Sequence, residues 1–138
     1  MSKTFRLFIS HSWAYSDTYE SLINLLSKPP AFPFIDYSVP RNDPIHRAGT
    51  DRALAEAIRR QMAPCHAVLM LAGVYSTYSK WINNEIALAA GAFGSPKPII
   101  GIAPWGQANL SSVVQEAAVS VVRWQKSSIE NAIRVYSL

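Results

Sequence analysis

Glu85 stands in the stretch Lys80 to Ala90, KWINNEIALAA, one turn from Trp81 and Ile82. It lies beside a face on which Ile82, Ile86, Ala89 and Ala90 recur at helical spacing. A carboxylate set against apolar neighbours suits work on a cationic or oxocarbenium-like centre, because its charge stabilises that transition state more than the ground state. From spacing alone a second reading stays open, a solvated glutamate near a helix start favoured by the helix dipole.

Other chemistry-bearing residues cluster after the first apolar run, in SHSWAYSD. Ser10 and His11 are adjacent, so in extended chain they point to opposite sides and cannot by themselves pair as nucleophile and base. No G-x-S-x-G elbow supports a hydrolase of that kind. The segment offers hydroxyls, an imidazole and the Trp13 ring, which either line a ligand crevice or cap and pack on the next helix. His11, His46 and His66 lack metal-ligand spacing, so no metal is expected. There is no G-x-G-x-x-G and no P-loop, and Arg41 and Arg47 are either phosphate contacts or solvated loop charges.

Elements must position these residues. FRLFIS (Phe5 to Ser10), FPFIDYSV (Phe32 to Val39, with Pro33 suggesting a sheet edge), HAVLMLAG (His66 to Gly73), KPIIGIAP and VSVVRW read as strands. Between them lie helical patterns: one with Leu22, Ile23, Leu25 and Leu26 apolar; one with Leu54, Ala57, Ile58 and Met62; the Tyr78 to Phe93 stretch; NLSSVVQEAA; and a closing SSIENAIRVYSL. Ser127 or Ser128 is expected to cap that last helix, with Glu130 and Asn131 in its first turn. PRNDPIHRAGT has no periodicity and is a long loop of the kind that often carries function.

Strands alternating with helices, several strands apolar throughout, predict an α/β fold: a flavodoxin-like three-layer sandwich whose five-stranded parallel sheet has the order 2-1-3-4-5, with helices on both faces. Ligands in such sheets bind beyond the carboxyl ends of the strands where the order reverses, here after strands one and three. Glu85 and the SHSWAYSD segment both belong to that crevice.

The 138 residues fit one domain, taken as 1–138, with a hydrophobic fraction of 49% and a charged fraction of 16%. The net charge of +4 favours phosphate-bearing ligands in general. The basic residues are scattered, and the densest group, Arg52, Arg59 and Arg60, has no aromatic interleaving, which argues against nucleic acid. One cysteine, Cys65, excludes an intrachain disulfide and fits a reducing compartment, with a buried thiol expected. No signal-peptide pattern and no membrane-length apolar run are present, so a cytoplasmic protein without membrane association is expected.

The motifs resemble those of the TIR domains. FRLFISHS followed by Asp17 looks like the family's first box, and IRRQMAPCHAVLMLAG like its middle segment. LAGVYSTYSKWINNEIAL is similar to its third-strand signature, S-x-W-x-x-x-E, held here by Ser79, Trp81 and Glu85. Two positions depart from the pattern: Ser76 stands where an aromatic is usual, flanked by Tyr75 and Tyr78, and Ile82 where a cysteine is usual. The wording FISHSW, the small size and the D-Y-S-V-P loop look closest to the bacterial TIR-like proteins of Thoeris antiphage systems.

That resemblance implies an enzyme that cleaves NAD, as substrate and not cofactor, between nicotinamide and ribose. Its product would be a cyclic ADP-ribose type signal that activates a separate effector after a phage-derived trigger, with TIR-TIR self-assembly on activation. Glu85 would hold the ribose hydroxyls and steady the developing cation. Phe8, Ser10, His11 and Trp13 would line the nucleotide side, with Asp36, Arg41 and Asn84 as further contacts and Trp81 buttressing the glutamate's helix. Helical spacing puts Asn84 next to Glu85 but on a different face. The alternatives are a non-catalytic TIR adaptor acting by assembly, which fold alone permits, and a flavodoxin-like FMN carrier or receiver, against which the missing acidic cluster and phosphate loop argue.

Overall fold

The computed structural model describes residues 4–10, 16–37, 51–71, 86–91, 93–103 and 116–138. Five strands run through them: β1 (Phe5–Ser10), β2 (Phe34–Asp36), β3 (Ala67–Leu71), β4 (Ile99–Ala103) and β5 (Ser120–Arg123). All pair in parallel, in the order β2-β1-β3-β4-β5. This is the flavodoxin-like order expected from strands alternating with helices. β3 and β4 are buried at every residue, and since successive side chains point to opposite faces, both faces are covered where these strands lie.

Three helices are α1 (Ser16–Ser27), α2 (Asp51–Met62) and α3 (Lys126–Tyr136), and residues 86–91 are also helical. Each buries the face its periodicity marks. Leu22 and Leu26 of α1, Ile58 and Met62 of α2, and Ile129 and Ile133 of α3 are all inaccessible to solvent. α1 and α3 pack together on the sheet, α3 over β4 and β5, while α2 lies against β1. In the helical run 86–91, Ala89 is buried and Ile86 and Leu88 pack on the core, but Ala90 faces out, so the apolar face is narrower than its spacing suggests.

Two expectations need correction. β2 is only Phe34–Asp36, because Phe32 is buried without being in the strand and its N–H donates to Leu26 O at the end of α1. α3 starts at Lys126, and its N-cap is Gln125, whose extended backbone fills that position with no side-chain cap bond. The Ser128 hydroxyl instead donates to Gln125 Oε1 at 3.1 Å, and no acidic residue lies in the first turn. Of the expected NLSSVVQEAA helix, residues 116–117 are helical and residues 109–115 lie outside the described residues.

Candidate functional site

The order reverses between β1 and β3, which are hydrogen-bonded neighbours. Their register aligns Leu7 with Ala67 and Ser10 with Met70, so the two strands run level to their carboxyl ends. The chain therefore leaves β1 after Ser10 and β3 after Leu71 at adjoining points of one sheet edge. That edge is the place where a doubly wound sheet takes a ligand.

Three candidates fall in the described strands, and they are not gathered at one point. Ser10 is the last residue of β1, its backbone at the edge beside Met70. Phe8 is 1% exposed and belongs to the hydrophobic core, aligned with Val68. Asp36 ends β2 level with Leu7, three residues before Ser10, or roughly 10 Å down the strand at the usual rise. It is half-buried, and its negative charge is felt at Cys65, on the opposite edge of the sheet from the crevice. Glu85, His11, Trp13, Arg41, Asn84 and Trp81 lie outside the described residues. Glu85 immediately precedes helical residues 86–91, whose inner face is anchored on the core by Ile86 and Ala89.

The opposite edge holds the polar structure that sequence reasoning missed. The Lys97 ammonium donates to Ala63 O and Cys65 O, each at 2.8 Å, and lies 4.9 Å from the centre of the Phe93 ring. It thereby caps the turn after α2, where a cation also suits the negative end of the helix. Burial lowers its pKa, with Arg6 acting in the same sense and Cys65 opposing. Arg6 Nε donates to Pro64 O at 2.6 Å in the same turn. Only a lysine between Pro96 and Pro98, just ahead of an apolar strand, hinted at this in the sequence.

Burial pushes the Cys65 thiol up to about 12, against the opposing pull of Lys97 and Arg6. Its Sγ donates to Gln61 O at 3.4 Å, as a structural thiol does. On α2, Arg59 donates twice to Glu56, at 2.8 and 3.1 Å, and holds that carboxyl below its usual range. Part of the Arg52, Arg59 and Arg60 charge is thus balanced on a solvated face. Among the described residues no group of three or more His, Cys, Asp or Glu side chains gathers as a metal site would need, and no helix is long and apolar enough to cross a membrane.

Residues 8–109 match the family described as Thoeris protein ThsB, TIR-like domain. No curated protein matches the chain. Among solved structures, FerB, a flavoenzyme NAD(P)H:(acceptor) oxidoreductase from Paracoccus denitrificans, is similar at 16% identity with a TM-score of 0.40, over 90% of this chain and 76% of that one. A likeness that distant says nothing about a flavin here.

Proposed function

The chain belongs to the TIR-like domain family of the Thoeris protein ThsB, an antiphage-defence family, and from that membership we propose that it is an enzyme acting on NAD. It breaks the bond between nicotinamide and ribose and turns the remainder into a cyclic ADP-ribose type signal for a separate effector. The observation that carries this reading is Glu85, in S-x-W-x-x-x-E, on the chain segment that follows the strand beside β1 at the point of order reversal.

The chemistry asks little of the protein beyond one well-placed charge. As the glycosidic C–N bond breaks, its electron pair goes to the ring nitrogen, and the cationic nicotinamide leaves neutral. No general acid is required, and one carboxylate suffices to steady the positive charge passing to the ribose carbon. A nucleophilic atom of the same nucleotide closes a ring if it reaches that carbon first, and water gives linear ADP-ribose if it does not, so a water-poor pocket favours the cyclic product. Self-assembly on a phage-derived trigger would complete the site, a conformational step that gates turnover.

The test is nicotinamide release from NAD by the pure protein, alone and with phage lysate, with mass spectrometry of the nucleotide products. Glu85→Gln is expected to lose activity by about 100-fold or more, the scale of losing one transition-state charge contact. Full turnover by Glu85→Gln, or none in any activating condition, discards the enzyme. A Glu85→Gln variant that still signals fully in cells would favour the adaptor.

A further inference from the structure

At the foot of the sheet, the first rung between β1 and the start of β3 is irregular. Arg6 O accepts the His66 N–H at 2.7 Å, but the Arg6 N–H donates to the His66 side chain, at Nδ1, at 2.9 Å. In a regular parallel ladder that N–H would reach a main-chain carbonyl. The Pro64 carbonyl, two residues before His66, instead accepts from Arg6 Nε. The imidazole stands in for the missing carbonyl.

The same residue holds two other parts of the chain. His66 O accepts the Leu138 N–H at 3.1 Å, just beyond α3, and the Phe5 ring meets the imidazole edge-on with centroids 6.2 Å apart. To accept from Arg6, Nδ1 must keep its lone pair, which puts the proton of the neutral ring on Nε2. A ring carrying both protons has only donors and would face the Arg6 N–H with another N–H.

We propose that His66 is an acid-labile fastener: protonation at Nδ1 opens the first β1–β3 rung and loosens the foot of the sheet. Around it stand Arg6 on β1, Lys97 on the Cys65 carbonyl, the Cys65 thiol and Asp36 of β2, whose field reaches Cys65. The two cations oppose a further positive charge and the Asp36 carboxylate favours it. The Arg6 bond sets the direction, because it exists only with the unprotonated nitrogen. The inference rests on the fold alone, independently of the reading as an NAD enzyme.

The sign follows from proton binding. The folded state selects the unprotonated ring, so acid favours the unfolded state and stability falls as pH is lowered through the imidazole range. Urea midpoints measured from about pH 8 to about pH 5.5 bracket the ordinary histidine value of about 6.5. They are compared between the wild type and His66→Asn, whose Oδ1 accepts the same N–H without titrating. The wild-type midpoint is expected to fall more steeply in acid; taking the difference removes the shared contributions of His11 and His46. Equal slopes, or a wild-type midpoint that gains on the variant in acid, overturn the proposal. If His66→Asn does not fold, amide exchange in the wild type decides. Arg6 should lose at least about tenfold of its protection as the ring protonates, a change worth one pH unit of linkage, while Leu69 keeps its own. An Arg6 amide still protected beside an NMR-observed imidazolium overturns it equally.

Discussion

Cys65 sits 2% exposed in the turn leading to β3, with its thiol held neutral by the loss of water around it. A thiolate is the reactive form, so the native protein should resist a thiol reagent that labels it promptly once unfolded. Rapid stoichiometric labelling of the folded chain would contradict the burial. The same residue gives an alkaline prediction. Burial holds its folded pKa at about 12, above the ordinary thiol value of 9.0, so its contribution is fully present below pH 9 and is lost as pH rises toward 12. Lys97, with its pKa lowered, acts in the opposite sense in part of that window. The difference between wild type and Cys65→Ala isolates the thiol: its urea midpoint advantage should shrink above pH 9. Lys97→Met keeps the apolar stem but leaves Ala63 O and Cys65 O without their donor, and should cost about 1–3 kcal/mol in urea unfolding.

At the scale of elements, α3 shows where sequence patterns speak and where they stop. Its apolar face was legible because Ile129, Ala132 and Ile133 follow the helical repeat and are buried. Its start was not, since two serines suggest a cap by composition while Gln125 takes the position through backbone geometry alone. A strand's bounds fail in a similar way: Phe32 is as apolar as Phe34 because both pack inward, yet only Phe34 joins the ladder. Apolar pattern reports burial, not pairing. α3 also carries an ion-pair run in which Glu130 meets Lys126 and Arg134, Lys126 donates to Pro30 O, and the Arg134 guanidinium lies over Phe32. These contacts strap the helix to the α1–β2 connection. Ile133→Ala is expected to destabilise by about 2–5 kcal/mol, read from equilibrium unfolding, because it empties a fully buried site within that strapped layer.

For the whole molecule, the sheet order was readable from the alternation of strands and helices, and β3 and β4 from runs with no polar residue to mark an outer face. Ser79, Trp81 and Glu85 stand out as a motif and lie outside the described residues, and side-chain convergence across segments far apart in the chain leaves no trace in local spacing. Asp36 illustrates this: its neighbours give no hint that β2 ends level with Leu7 and not with Ser10. The topology makes β3 the middle strand, buried at every position and paired on both sides. Amide exchange should therefore be slowest at Leu69 and Met70 and faster in β2 and β5, which pair on one side only; equal rates across the sheet would argue against one cooperative core. Because Ser10 and Met70 are cross-strand partners, the sheet edge at the point of order reversal is a single hydrogen-bonded plate whose width is set by strand spacing. A trigger for the proposed activity would have to act elsewhere than on this plate, since prising its two halves apart would mean dismantling the protein.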